Sequence, residues 1–335
     1  MRLYTLVFLL FSFSATATAQ FRKYSFNQPK MGSPFKIAVY ADNPEVLEAA
    51  VSRAYLRVDT LNAIFSDYAE TSEISVLTKN YKKGEWVQVS PELLKILKIS
   101  HKAAEASAGA YDVTVGNIVK LWRKARKAKQ IPTADSLAMA LSKTGFSHLE
   151  IHQTEPKIRF DTEGVLLDFG GIVKGYAAQE VVRVLTEAGF PFCFADAGGD
   201  IAFGRFAPNV QPWSIGVSMP NQENELFNRL FSFENHSIAT SGDMYNFLEI
   251  DSVRYSHIVN PKTGLGVTHQ RNVTVIAQDG ATADWLATAC SVLKPEEALQ
   301  LVKKYPEAEL LILETQSGKI KMWQSDGLSR YFAAF

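Results

Sequence analysis

The stretch VLLDFGGIVKGYAAQEVVRVL, residues 165–185, combines a short apolar run, a pair of glycines and a helical pattern. The apolar run is typical of a buried strand, which we predict over residues 164–168. Gly170 and Gly171 let the backbone bend and come close to a ligand, and the N-terminus of the next helix offers free N–H groups to a phosphate. Lys174 would add a cation there. The spacing is not that of a Walker loop, so a tight turn with a solvated lysine remains the alternative.

On both sides of this stretch, helical and strand patterns alternate irregularly. Apolar residues recur every three or four positions between Pro44 and Phe65, which predicts a helix, and Ser90-Pro91-Glu92 is typical of a second helix start. Strands are predicted over residues 231–234 and 254–259, among others. Strict βαβ alternation is absent. The pattern therefore predicts an α+β fold, with mixed sheets packed against helices in one domain over residues 20–335.

Composition excludes several classes of protein. The 335 residues are 47% hydrophobic and 21% charged, and 35 basic residues balance 35 acidic ones. This argues against a disordered chain and against nucleic acid as a partner. One predicted helix, residues 117–129, is nonetheless rich in cations, among them Arg123, Lys124, Arg126, Lys127 and Lys129. In a neutral chain we interpret them as a solvated surface, with an anionic partner as the alternative.

The N-terminus is typical of a secretory signal. Arg2 precedes an apolar run from Leu3 to Phe13, and small residues follow as far as Ala19. We predict a signal peptide over residues 1–19, with cleavage before Gln20. The apolar run is shorter than the roughly 20 residues that a membrane span needs, and no lipoprotein cysteine lies near the cut. The expectation is a free, exported, periplasmic protein with no stable membrane insertion.

Two cysteines, Cys193 and Cys290, lie in apolar segments. Export to an oxidising compartment permits a disulfide between them. Two buried free thiols are the interpretation we favour.

A helical stretch near the C-terminus, ATADWLATACSVL at residues 281–293, places a carboxylate and a hydroxyl four residues apart. Asp284 and Thr288 therefore share one face of the helix. Both are hard oxygen donors suited to Mg²⁺ that keeps waters and phosphate in its coordination shell. Alternatively, an aspartate near a helix start satisfies backbone N–H donors.

The stretch YSHIVNPKTG, residues 255–264, places His257 between strand-like residues and a turn. A histidine there is suited to proton transfer, although a lone histidine is often structural. Two small-residue turns, DAGGDI at 196–201 and ATSGDMYNF at 239–247, either line a ligand cleft or merely connect strands. The sequence has no Gly-x-Ser-x-Gly elbow, no His-Glu-x-x-His helix and no Cys/His cluster for zinc.

Taken together and in this order, these segments resemble the FAD:protein FMN transferase family, also called the ApbE type or flavin-trafficking proteins. The segments that carry the resemblance are MGSPF (31–35), SDYAETSEISVLT (66–78), GAYDVTVGNIVKLW (109–122), LDFGGIVKGYAA (167–178), DAGGDI, ATSGD, YSHIVNPKTG and TADWLATA (282–289). They cover most of the chain from about residue 31 to residue 290.

The resemblance implies an ApbE-like α+β fold with an FAD cleft between its sub-parts. It also implies an Mg²⁺-dependent enzyme that cleaves FAD and joins the FMN half, through a phosphoester, to a threonine or serine of a target protein, releasing AMP. Targets in this family are exported-side flavoprotein subunits of membrane redox complexes. The alternatives are an FAD pyrophosphatase that yields FMN and AMP, and a non-catalytic periplasmic FAD carrier.

Carried over position by position, the resemblance implies an Mg²⁺ site at the side chains of Asp284 and Thr288 and the carbonyl of Gly171. Ala287 stands where some relatives have a further carboxylate. The implied FAD contacts are Met31, Tyr68, Gly109, Ala110, Tyr111, Asp168, Lys174, His257 and Ile258. Tyr68 and Tyr111 would pack on the rings of FAD.

The residue types suggest catalytic roles. Mg²⁺ and Lys174 would neutralise the pyrophosphate and the charge that develops as AMP leaves. His257 is the candidate base that takes the proton of the threonine hydroxyl. Asp168 would orient the nucleophile or the nucleotide rather than take the proton.

Overall fold

The computed structural model describes residues 21–220, 226–242 and 247–333. The predicted signal peptide, residues 1–19, lies outside the described residues and stays a prediction. Among the described residues, no helix has the length and apolar character to cross a membrane. A mixed helix and sheet architecture is confirmed.

The described helices are α1 (Pro44–Phe65), α2 (Glu73–Asn80), α3 (Pro91–Ala106), α4 (Gly116–Ala128), α5 (Ala134–Leu141), α6 (Val173–Glu187), α7 (Gly280–Val292) and α8 (Pro295–Val302). Side-chain caps explain several starts. Ser90 accepts a hydrogen bond from the N–H of Leu93 at the start of α3, and Thr133 accepts one from Ser136 N at the start of α5.

The described strands are β1 (Arg22–Lys30), β2 (Ser33–Ala41), β3 (Val87–Gln88), β4 (Leu149–Ile151), β5 (Lys157–Phe160), β6 (Cys193–Asp196), β7 (Ile201–Phe203), β8 (Ile215–Ser218), β9 (Leu226–Phe231), β10 (Ser237–Gly242), β11 (Phe247–Ile250), β12 (Val253–Ser256), β13 (Gln270–Ala277), β14 (Glu309–Gln316) and β15 (Lys319–Gln324). Eight of them form an antiparallel sheet in the order β1-β2-β6-β7-β10-β13-β14-β15.

The inner strands of the large sheet are buried on both faces, whereas the edge strands β1 and β15 are largely exposed. In β14, Leu310 and Ile312 belong to the main core, which also contains residues of helices α1, α6 and α7, whereas Leu311 and Leu313 pack into a second core with the β8–β9 hairpin. Successive side chains of a strand point to opposite faces, so a strand covered on both faces is continuously apolar. A third, smaller core joins α4, α5 and the β11–β12 hairpin.

The strand predicted over residues 164–168 is wrong. Leu166 forms only an isolated bridge with Val115, and its carbonyl accepts a hydrogen bond from Gly116 N. The carbonyl of Val113 likewise accepts one from Asp168 N. The partner segment enters α4 at Gly116, so the pairing ends before a strand can form.

Two other strand predictions are wrong in extent. Residues 232–234 lie beyond β9, because Ser232 N donates to the Tyr331 carbonyl while Phe233 turns into the second core. The strand predicted to residue 259 ends at Ser256, whose hydroxyl accepts a hydrogen bond from Ile258 N in a turn. The sequence analysis also missed the short helix α2 and the strands β1, β3, β7 and β10. Of these, β1 is a largely exposed edge strand with Pro29.

Cys193 and Cys290 are both buried free thiols, as favoured above. Burial raises the pKa of each thiol to about 12.

Candidate functional site

A cleft of about 600 Å³ lies where α4, the start of α6 and the middle of α7 meet the large sheet. Its volume falls in the range of roughly 300–1,000 Å³ typical of small-molecule sites. The cleft brings together ten of the twelve predicted site residues, which are Tyr68, Ala110, Tyr111, Asp168, Gly171, Lys174, His257, Ile258, Asp284 and Thr288.

Two glycines bring α6 and α7 into backbone contact beside the cleft. A Cβ atom added to Gly175 would lie 2.1 Å from the Gly280 carbonyl oxygen, and one added to Gly280 would lie 2.0 Å from the Gly175 carbonyl oxygen. No other residue type permits this approach. The contact carries Asp284, one turn into α7, onto the N-terminus of α6.

Asp284 is 3% exposed, and its Oδ2 accepts a hydrogen bond of 3.0 Å from the N–H of Gly175. Asp284 therefore satisfies backbone donors, but those of α6 rather than of its own helix, where Asp279 is the N-cap. Burial and the nearby carboxylate of Asp200 raise the pKa of Asp284 well above its ordinary value, against the opposing effect of Lys174.

Thr288 follows one helical turn after Asp284 and lies against the glycine bend. A Cβ atom added to Gly171 would lie 2.6 Å from Thr288 Oγ1, so the Gly171 backbone is packed directly on this hydroxyl. Ser241, at the end of β10, has its Oγ 3.4 Å from Thr288 Oγ1.

Lys174 lies in the first turn of α6 and forms an ion pair with Asp200, which is 2% exposed. Burial alone lowers the pKa of Lys174, but Asp200 and Asp284 more than compensate, so the net shift raises it and the side chain stays protonated. The carboxylate of Asp196 accepts hydrogen bonds from the N–H groups of Gly198 and Gly199. This turn presents Asp200 to the cleft.

Asp168 connects the glycine bend to α4. Its Oδ1 accepts a hydrogen bond of 2.8 Å from Gly170 N, and its Oδ2 lies 3.2 Å from Nη2 of Arg123. Burial, followed by the charge of Asp67, raises the pKa of Asp168. A carboxylate held in this way shapes the glycine bend, and its role in orienting the nucleophile or the nucleotide stays a prediction.

His257 and Ile258 enter the cleft from the loop after β12. The loop is closed by a hydrogen bond of 2.9 Å from Gly264 N to the Asn260 carbonyl, and the indole of Trp122 donates to the Gly264 carbonyl at 2.7 Å. The loop is thereby tied to α4, and it holds His257 at the cleft wall.

The two tyrosines differ in exposure. Tyr68 is 78% exposed, and the guanidinium of Arg123 lies 4.2 Å from its ring centroid. Tyr111 is 4% exposed and packs with Trp285 at a centroid distance of 6.1 Å. Tyr68 therefore offers an open ring face, whereas the ring of Tyr111 belongs to the core.

Met31 and Gly109 do not line the cleft. Gly109 precedes the cleft residue Ala110, and Met31 lies in the β1–β2 turn. Ser33, just after that turn, packs against Gly198 in the cleft wall. Both assignments stay predictions.

The donors near Asp284 fit Mg²⁺ rather than zinc. Among the described residues, no group of three or more His, Cys, Asp and Glu is placed to hold a metal. Asp284 and the Thr288 hydroxyl, on which the Gly171 backbone packs, are hard oxygen donors, and such a small set suits an ion that keeps part of its water shell.

The cleft residues that the sequence analysis missed include Asp200, Ser241, Arg123 and Arg126. Asp200 belongs to a turn that it recognised as a possible cleft wall. Ser241 lies in the other stretch that it interpreted as a turn, but residues 239–242 belong to strand β10. The two arginines belong to the cation-rich helix that it interpreted as solvated surface. The face of that helix that meets the cleft depends on tertiary packing.

Comparison with known families now adds to this geometry. The sequence model of the ApbE family matches residues 31–312. FAD:protein FMN transferase of Klebsiella pneumoniae is 27% identical over 300 residues, which are 88% of this chain and 85% of that protein. The protein of the same name from Haemophilus influenzae is 29% identical over 265 residues, covering 77% and 76% of the two chains.

Solved structures show the same fold. Flavin transferase ApbE from Vibrio cholerae has a TM-score of 0.83 and 25% identity, with 93% of this chain and 100% of that chain covered. The ApbE protein from Thermotoga maritima has a TM-score of 0.82 and 26% identity, with the same coverage. The fold and the cleft are therefore those of an α+β flavin transferase. The chain belongs to the ApbE family.

Proposed function

We propose that this protein is an Mg²⁺-dependent FAD:protein FMN transferase, which attaches FMN through a phosphoester to a threonine or serine of a target protein and releases AMP. The observation that carries the proposal is the convergence of Gly171, Asp284, Thr288, Lys174 and His257 on one cleft. The names of the relatives in both comparisons support the flavin-transfer part.

The start of α6 would bind the pyrophosphate of FAD. Lys174 in this first turn is positive, and Asp168 holds the preceding bend through Gly170 N. The N–H groups of the turn already donate to the Phe169 carbonyl and to Asp284, so the lysine ammonium is the group left to meet the phosphates. These groups are in position before the substrate arrives, so stabilising the charge that develops in the reaction needs little rearrangement. Tyr68, with its exposed ring, would pack on a ring of FAD.

Asp284, Thr288 and the Gly171 carbonyl would hold the metal. A bound Mg²⁺ would act as a Lewis acid on the phosphate oxygens. Asp284 is held by the N–H of Gly175, and Thr288 by its contact with Gly171. Both donors are therefore fixed by the same α6–α7 packing.

His257 would take the proton from the hydroxyl of the acceptor threonine. The hydroxyl oxygen then bonds to the phosphorus of the FMN half, the bond to the bridging oxygen breaks, and AMP leaves with that electron pair. The loop that carries His257 is anchored to α4 through Trp122. Positioning of the base thus depends on α4 as well as on β12.

The site of action is part of the proposal. The N-terminal pattern described above supports export and cleavage after Ala19, and hence a periplasmic enzyme. The partner would be an exported flavoprotein subunit of a membrane redox complex that carries the acceptor threonine.

The test uses the chain from residue 20 onward, FAD, MgCl₂ and a recombinant exported flavoprotein domain with its acceptor threonine. Intact-mass spectrometry should show a mass gain equal to FMN minus water on the domain, and a Thr→Val variant of that domain should show none. AMP should appear in equal amount. EDTA should abolish both products.

Two outcomes would contradict the proposal. Release of FMN and AMP without any adduct would indicate a pyrophosphatase. Stoichiometric FAD that stays intact with Mg²⁺ and the acceptor present would indicate a carrier.

A further inference from the structure

The cations of helix α4 lie on two faces, one exposed to solvent and one lining the cleft. Lys120, Lys124 and Lys127 are exposed, whereas Arg123 and Arg126 line the cleft together with Val119. Residues 119, 123 and 126 follow the spacing of one helical face. The cleft thus has a basic wall on α4, in addition to Lys174.

The cations of the cleft differ in how their charge is balanced. Lys174 pairs with Asp200, and Arg123 pairs with Asp67 and Asp168. Arg126 has no ion pair among the residues that the structure describes, and its Nη1 atom is buried without a hydrogen-bond partner. Burial and then the positive charge of Arg123 lower the pKa of Arg126.

A buried guanidinium N–H without an acceptor is unfavourable, and native structures rarely keep one unless a ligand or water completes it. Arg126 lies in the last turn of α4, where the helix dipole favours a cation, so the dipole explains why residue 126 is positively charged. It does not explain why this side chain lies in the cleft. Lys127, the next residue, meets the same dipole and stays exposed.

We propose that Arg126 is an anion-binding residue of the cleft and donates hydrogen bonds to a phosphate oxygen of the bound dinucleotide. The inference rests on the proposed function, because FAD is the ligand. The pyrophosphate of FAD brings two negative charges, and Arg126 is the cleft cation whose charge no described carboxylate balances. Its planar fork of N–H donors matches the geometry of phosphate oxygens.

The test is equilibrium binding of FAD and of riboflavin, which has the flavin ring but no phosphate, to the wild-type chain, Arg126→Gln and Arg126→Lys. Lys127→Gln is the matched control, since it removes the same charge from an exposed neighbour. Arg126→Gln should raise the Kd for FAD about tenfold. The Kd for riboflavin should stay within about twofold of the wild-type value. The Kd of Arg126→Lys for FAD should lie between those of the wild-type chain and Arg126→Gln.

Salt adds a second measurement. Between about 50 and about 200 mM NaCl, FAD affinity of the wild-type chain should fall more than that of Arg126→Gln, because one charge contact is lost in the variant. Circular dichroism and thermal unfolding of each variant verify the fold.

An unchanged Kd for FAD in Arg126→Gln would overturn the inference and leave the transferase proposal intact. An equal loss for riboflavin would assign Arg126 to the ring and also overturn it. Failure of the wild-type chain to bind FAD would refute the proposed function and this inference together.

Discussion

Asp284 and Asp200 both lie near Lys174, and two carboxylates that share one lysine leave a net negative charge in a buried place. Burial, and then the charge of Asp200, raise the pKa of Asp284, and the same negative surroundings favour a bound cation. A divalent ion would stabilise the ionised form of Asp284, so metal binding and ionisation of this carboxyl are coupled.

The first prediction concerns Asp284. Asp284→Asn keeps an oxygen acceptor for Gly175 N but loses the charge that would bind the metal, so the rate of flavin transfer should fall at least about 100-fold. Circular dichroism should stay unchanged. Glu48→Gln, which removes a charge from an exposed position of α1, is the control. Transfer within about threefold of wild type in Asp284→Asn would refute the metal assignment.

At the scale of elements, the contact between α6 and α7 positions the site. The same two helices supply Lys174 and Gly175 on one side and Asp284 and Thr288 on the other. Because Gly175 and Gly280 touch through their backbones, any side chain at either position must separate the helices.

The second prediction is the sign of the stability change in Gly175→Ala. Helix propensity alone predicts a gain of about 1 kcal/mol for alanine inside a helix. The added Cβ would lie 2.1 Å from a backbone oxygen, so we expect instead a loss of about 1–3 kcal/mol in the free energy of unfolding. Urea denaturation measures it, and a more stable variant would contradict the packing described here.

The third prediction concerns how α7 is tied to β13. His269, just before β13, has its Nε2 2.7 Å from the Ser291 carbonyl near the end of α7. Burial and then the charge of Arg271 lower the pKa of His269 below its ordinary value of 6.5. The unfolded chain therefore binds a proton first as the pH falls, and the free energy of unfolding should decrease below pH 6.5 for this reason.

His269→Gln keeps a donor for the Ser291 carbonyl but does not titrate. The stability advantage of wild type over this variant should shrink between about pH 7.5 and about pH 5.5 in urea titrations. A difference that is independent of pH would show that His269 is not held in its neutral form.

At the scale of the whole molecule, both cysteines lie in the large core between the sheet and the helices. Their thiols, with pKa values raised to about 12, are protonated and inaccessible at neutral pH. This makes them reporters of unfolding of the main core.

The fourth prediction follows from this placement. Iodoacetamide should modify neither Cys193 nor Cys290 in the native protein, and should modify both in denaturant, as measured by intact mass. The native mass should correspond to two free thiols. Rapid native labelling, or a mass lower by two hydrogens, would show that the core is open there or that the cysteines are paired.

Local sequence patterns predicted those helices whose residues interact mainly with residues close to them in the chain. The apolar period from Pro44 to Phe65 predicted α1, and Ser90 with Pro91 predicted the start of α3. The placement of Asp284 and Thr288 on one face of α7 follows from the helical repeat alone. The resemblance to the ApbE family, confirmed by the match over residues 31–312, rests on the order of such segments.

Interactions between distant segments required the tertiary structure. The apolar run at 164–168 has strand-like residues, but its partner Val115 leads directly into α4, so no strand forms there. The sequence of α4 shows five cations and does not show that Arg126 lies in the cleft while Lys127 faces solvent. Periodicity determines which residues share a helical face, whereas the direction of that face depends on packing against segments far away in the chain.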